Sequence, residues 1–158
     1  MSIGPSTRAR IMAGLADGRT DAELAADLGI AVGTLQCYIA ALCRQYKVPG
    51  RNALIPLAVQ RGWLPAAADV PLPRPVGPLG LVLLCIAAGR TMQDIGRHAG
   101  CSESTARRHA KDVCAHYGAT TRTQAVALAI RSRHLAPHQA FTTIPANPFP
   151  RTRPGRTA

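Results

Sequence analysis

A chain of 158 residues with 19 Lys and Arg against 8 Asp and Glu carries a net charge of +11, an excess that suits polyanionic partners, nucleic acid or an anionic membrane surface. Two Phe, three Tyr and one Trp leave only a small, aliphatic core to build, in one domain or in two marginal ones. The most apolar run, Pro78 to Ala88, is too short to cross a bilayer and nothing resembles a signal peptide, so a soluble cytoplasmic protein without a membrane partner is expected.

The first five residues read as a short arm. The spacing of Ile11, Met12 and Leu15 predicts a first helix from Ser6 to Asp17, stopped by Gly18. Thr20-Asp21-Ala22-Glu23 reads as a capping box, a hydroxyl and a carboxylate three residues apart before an apolar run. It opens a short second helix with Leu24, Ala25 and Leu28 inward and Gly29 at its end. A third helix is predicted from Val32 to Tyr46 with Leu35, Ile39 and Leu42 inward, and a fourth from Arg51 to Arg61. Pro56 lies inside that fourth helix, where it removes a backbone hydrogen bond and is expected to kink or shorten it.

Residues 65–78 are proline-rich and read as a linker biased to the extended polyproline II form, with a reach of roughly 45 Å at about 3.1 Å per residue. Beyond them Cys101 to Tyr117 stands out. Ser102 is a good N-cap, and Ala106, Ala110, Val113, Cys114 and Tyr117 form one apolar stripe. Glu103, Ser104, Arg107, Arg108 and Lys111 face away from that stripe. Residues 136–158, with five prolines, three arginines and no acid, read as a basic, disordered tail.

An internal repeat organises these pieces. A shift of 71 residues aligns Ile11–Leu64 with Val82–Leu135 without a gap. The twelve identities fall where a helical unit needs them: Gly18-Arg19-Thr20 on Gly89-Arg90-Thr91, Gly29 on Gly100, Thr34 on Thr105, Tyr46 on Tyr117 and Arg51 on Arg122. The second copy is therefore predicted to have helices near Leu79–Ala88, Met92–Ala99, Glu103–Tyr117 and Arg122–Arg133.

Each copy resembles the LuxR/FixJ-type helix-turn-helix domain of bacterial transcription regulators. The first copy matches that pattern at Ala16, Gly18, Thr20, Glu23, Leu24, Ala25, Leu28, Ile30, Thr34, Leu35, Val48 and Arg51. The second matches it at Ala87, Gly89, Thr91, Ile95, Ser102, Thr105, Arg107, His109, Arg122, Ala125 and Val126. Departures fall mostly in the first copy, where Ala31 replaces the capping serine, Gln36 the basic residue and Tyr38 the histidine, and Pro56 interrupts the fourth helix, through which many such domains dimerise. In the second copy Asp94 stands for the glutamate and Gly96 for the alanine. The resemblance implies an all-α fold: two four-helix domains in tandem, of the winged-helix-like superfamily but without a wing, at 1–64 and 79–135. Neither a receiver nor a ligand-sensing domain is expected in the remaining length.

In a helix-turn-helix the second helix of the motif enters the major groove. In the second copy Arg107 is the expected base reader, since arginine pairs bidentately with guanine. Arg108 and Lys111 divide between bases and phosphates, with Ser102, Glu103, Ser104, Thr105 and His109 around them. Arg90, Thr91 and Arg122 are candidate phosphate contacts. The corresponding candidates in the first copy are Arg19, Thr20, Thr34, Gln36, Tyr38 and Arg51, but its outward helix face, Val32, Gly33, Gln36, Cys37 and Ala40, is uncharged. Three roles stay open for that face: reading A·T-containing DNA, dimerising, or docking on RNA polymerase.

The function expected is sequence-specific binding of double-stranded DNA by a transcription regulator, with a protein-interaction module docking through the first copy as the alternative. Monomer and homodimer both stay open, depending on whether Val126 and Ile130 are exposed. The five cysteines, Cys37, Cys43, Cys85, Cys101 and Cys114, lack zinc or disulfide spacing, and the histidines are scattered without a triad. No enzymatic activity, cofactor, metal or small-molecule ligand is expected.

Overall fold

A computed structural model describes residues 3–65 and 70–142. Among these the chain is all-α, with no strand. The elements are α1 (Pro5–Ala16), α2 (Asp21–Leu28), α3 (Val32–Gln45), a 3₁₀ turn (Arg51–Ala53), α4 (Leu54–Gln60), α5 (Leu79–Ala87), α6 (Met92–Ala99), α7 (Glu103–Tyr117), α8 (Arg122–Arg131) and a second 3₁₀ turn (Pro137–Phe141).

Local chemistry sets the helix ends. The Thr20 hydroxyl accepts from the Glu23 amide at 3.2 Å while the Glu23 carboxylate accepts from the Thr20 amide at 2.8 Å, the reciprocal box that opens α2. Those bonds to the ionised form, the backbone one foremost, hold the Glu23 carboxyl below its ordinary range. Ser102 caps α7 by accepting from the Thr105 amide at 3.2 Å. Ala31, which stands in the same place before α3, makes no side-chain cap.

Pro56 does not kink the fourth helix. The segment from Arg51 starts as a 3₁₀ turn, and the α-helix begins only at Leu54. Pro56 then sits in the first turn, where an amide would have no intrahelical acceptor in any case. The expected shortening is real, but it occurs by delaying the start of the helix.

The repeat is visible in the backbone. Left-handed residues recur at the 71-residue offset: Gly18 (φ +77) with Gly89 (+73), Gly29 (+67) with Gly100 (+64), Lys47 (+54) with Gly118 (+61), and Gly62 (+70) with Arg133 (+57). Two of these pairs place a bulkier residue where its partner copy has glycine, so the turn geometry is dictated by the packed unit and not by glycine alone. Side chains repeat as well. Tyr46 meets Trp63 edge-on at 5.0 Å, and at the same place in the second unit Tyr117 hydrogen-bonds to His134 Nδ1 at 2.9 Å. Burial holds the His134 pKa below its ordinary value, which favours the uncharged ring in this contact.

The two units are not held apart by an extended spacer. They pack on each other through α4 and α8, with α1 on α8 and α5 on the 3₁₀ turn of the first unit. Thr123 Oγ donates to Asn52 Oδ1 at 2.8 Å, and these two residues occupy the same repeat position. The Thr120 hydroxyl donates to the Gly18 carbonyl and the Gln124 amide group to the Asp17 carbonyl, both at 3.1 Å. Reciprocally, a Cβ on Gly89 would lie 2.8 Å from Pro49 and 3.4 Å from Ala53, and one on Gly18 would lie 2.8 Å from the Thr120 hydroxyl and 2.3 Å from Gln124. Pro49 and Ala53 are the repeat equivalents of Thr120 and Gln124. Residue i of one unit meets residue j of the other and the converse also holds, which is the signature of an isologous, pseudo-twofold interface.

Three further segments are packed within the chain. Val126 (0 % exposed) and Ile130 (5 %) are covered within the chain, so that face is not available to a second copy. The described part of the linker lies on the second unit, with His116 Nε2 donating to the Pro73 carbonyl at 2.7 Å and Leu72 half-buried against the core; residues 66–69 lie outside the described chain. The segment read as tail begins with the 3₁₀ turn Pro137–Phe141, which packs on α4 and α5 and buries Ala140. The remaining tail, from residue 143, lies outside the described residues. The physical reason is common to all three. A four-helix unit of this size is marginal alone, and the apolar faces of α4, α5 and α8 are covered by whatever chain can reach them.

Candidate nucleic-acid interface

The site is built on α7. Ala106, Ala110, Val113 and Tyr117 are buried against α5, α6 and α8, which fixes the rotation of the helix. Glu103, Ser104, Arg107, Arg108 and Lys111 are consequently all exposed along the opposite face. Cys114, counted with the inward stripe, is only half-buried. Thr105 and His109 are also half-buried, and His109 Nδ1 lies 3.7 Å from Asp112. They border the exposed face of α7 without standing on it.

Arg107 Nη2 is hydrogen-bonded to Glu103 one turn before it. Both groups are largely exposed, and a pair of this kind contributes at most about 1 kcal/mol, so a base edge can displace the glutamate cheaply. Arg108 and Lys111 have no ion-pair partner among the described residues, and neither do Arg90 and Arg122. Arg122 and Lys111 line one open groove with Thr120 and Thr121, between the second half of α7 and the start of α8.

The start of α6 adds a donor. Thr91 accepts from the Asp94 amide at 3.2 Å, and the Asp94 carboxylate accepts from the Thr91 hydroxyl. Aspartate is one methylene shorter than the glutamate of the first unit and does not reach back to the Thr91 amide. That exposed N–H is left at a helix N-terminus beside Arg90, a suitable position for a phosphate oxygen.

The first unit has the same frame, but two of its arginines are ion-paired. Its α2 and α3 are joined by a three-residue turn and bend by 97°. Asp21 accepts from Arg51 Nη2 at 3.0 and 3.2 Å and from Gln36 Nε2 at 3.3 Å. Asp27 is paired with Arg19. The repeat equivalents of these acids are Met92 and His98. Thus the cations at two equivalent positions are neutralised in the first unit and open in the second. Asp21 and Asp27 were absent from the predicted site, although the substitutions Asp21/Met92 and Asp27/His98 stand in the repeat alignment. Thr20 is consumed in its capping box, and Thr34 and Tyr38 are half-buried. Around them an open, mostly apolar groove runs past Ala31, Gly33, Cys37, Ala41 and Arg44.

Asp21→Asn removes a carboxylate and releases Arg51. The variant is expected to bind random duplex several-fold more tightly, with its salt dependence steeper by about one counterion. Fluorescence anisotropy at several salt concentrations measures both, and an unchanged slope would show that Arg51 is not directed at phosphates.

Among the described residues no helix is long and apolar enough to span a membrane, and no group of His, Cys, Asp and Glu is placed to hold a metal ion. No protein-family profile, curated protein or solved structure matches the chain.

Proposed function

We propose that each unit is a helix-turn-helix of the LuxR/FixJ type and that the chain is a sequence-specific DNA-binding regulator of transcription. The α2–α3 and α6–α7 pairs supply the motif: a short helix, a three-residue turn with a left-handed glycine, and a longer helix, bent by 97° from its partner in the first pair. The observation that carries the reading is the set of open cations on and around the second helix pair. Arg90, Arg108, Lys111 and Arg122 have no acidic partner among the described residues, on the same unit whose helix exposes Arg107 to a base edge.

Neutralising phosphates releases condensed counterions, so affinity for duplex falls with the logarithm of salt at a slope of about 0.9 per contact. Four contacts from these cations predict a slope of about −3.6 on a log–log plot. A titration of the full chain with duplex DNA tests it, and binding that is absent or insensitive to salt would refute the reading.

A further inference from the structure

Building on the DNA-binding reading, we infer that one chain is a covalent pseudo-dimer that reads two adjacent half-sites of unlike composition, a guanine-containing one through α7 and an A·T-containing one through α3. The reciprocal seam carries the first step. Asn52 and Thr123 meet at equivalent positions, and Gly18 and Gly89 each pack on the equivalent segment of the other unit. A twofold rotation preserves height along its axis. When α7 points its N-terminal end toward a duplex lying across that axis, α3 is turned toward the same duplex at the same height.

Size agrees. A compact chain of this length is roughly 40 Å across by the usual scaling of radius with length. Successive half-sites lie about 34 to 36 Å apart. The fourth-helix faces that would recruit a second chain are already consumed, Val126 and Ile130 being buried inside the molecule, so the two half-sites are met by one chain.

The chemistry of the two reading faces sets the asymmetry. Arg107, Arg108 and Lys111 of α7 have Gln36, Cys37 and Ala40 as their equivalents on α3. Glutamine pairs bidentately with adenine, and apolar side chains meet thymine methyls. Val32 is itself unusually exposed at 39 %, at the first position of α3. With Arg19 and Arg51 held by Asp27 and Asp21, the α3 half-site adds sequence discrimination and little phosphate attraction. Gln36 leaves only a long 3.3 Å bond to Asp21 when it turns to a base.

The test selects duplexes from a random pool with the full chain, scans every base pair, and counts chains per duplex by native mass spectrometry. One chain per duplex is expected, with two clusters of sensitive base pairs about one helical turn apart. Gln36→Ala relaxes the A·T cluster about tenfold and leaves the other unchanged, whereas Arg107→Ala relaxes only the guanine cluster. Both residues are exposed, so neither substitution threatens folding. Two chains on a palindrome would overturn the inference. So would a single cluster indifferent to Gln36→Ala, which leaves DNA binding through α7 standing and assigns the α3 groove to a protein partner. Absence of duplex binding removes the DNA reading itself and this inference with it.

Discussion

On the proposed DNA-binding reading, replacing Arg107 and Arg108 together by alanine is expected to lower affinity for the selected duplex by about two to three orders of magnitude and to leave the fold intact. The size follows from two terms. A bidentate arginine–guanine pair discriminates by about 1–3 kcal/mol, and each lost phosphate contact removes about one released counterion from the salt slope. The two arginines should also separate. Arg107→Ala loses sequence preference, while Arg108→Ala weakens selected and random duplexes alike if its partner is a phosphate. Stability should scarcely change, because both side chains are exposed, Arg108 has no ion pair among the described residues, and the Arg107–Glu103 pair is a surface one. Alanine is moreover the best helix former. Anisotropy titrations alongside thermal melts check both halves of the expectation. Equal affinity for variant and parent would place the duplex on another face.

The contrast between the two units explains why the substitutions are directed at α7 and not at α3. Both units present the same helix pair on the same frame, yet only the second leaves its flanking arginines open. Position within the fold supplies access to a groove; the absence of an acid within about 4 Å decides whether a cation is available to a phosphate. In the proposed interface Asp21 and Asp27 would therefore determine as much as the arginines do.

Local chemistry was the part of this molecule most legible in the sequence. Thr20 and Ser102 cap the helices they were expected to cap, Thr91 caps α6 at the repeat position of Thr20, and Gly29 and Gly100 end theirs in left-handed turns, because capping depends on atoms three or four residues apart. The inward stripe of α7 was largely readable for the same reason. What escaped was set by distant chain. Pro56 is accommodated by a 3₁₀ start to the helix, a detail that the proline alone does not select over a kink. The capture of Arg51 by Asp21 spans 30 residues and needs the helix pair to be folded. The docking of Leu72 and of the 137–141 turn follows from apolar faces that periodicity marks as buried without saying by what.

The seam carries the largest stability effect. Ile130 is 5 % exposed and lines a tight crevice with Ala16, Ile55 and Val59 of the first unit. Ile130→Asp deletes that packing and buries a carboxylate with no partner designed for it, a combination costing about 4 kcal/mol or more. Against a typical domain stability of about 5–15 kcal/mol, most of the folded population is at risk. The informative reporter is Trp63, the only tryptophan in the chain. It lies in the first unit, edge-on to Tyr46 with the Arg8 guanidinium 4.1 Å from its ring. If the seam makes one cooperative unit, a substitution in α8 shifts the Trp63 fluorescence transition as far as it shifts the helical signal by circular dichroism. Independent units would leave the Trp63 transition in place while part of the helical signal melts early. Ile130→Val, which keeps the apolar surface and removes one methylene, is expected to cost only about 0.5–1.5 kcal/mol and to shift both probes together. Coincident shifts in the mild variant, where folding is not in question, would establish that the two units share a single core, and with it the fixed geometry on which reading two half-sites from one chain depends.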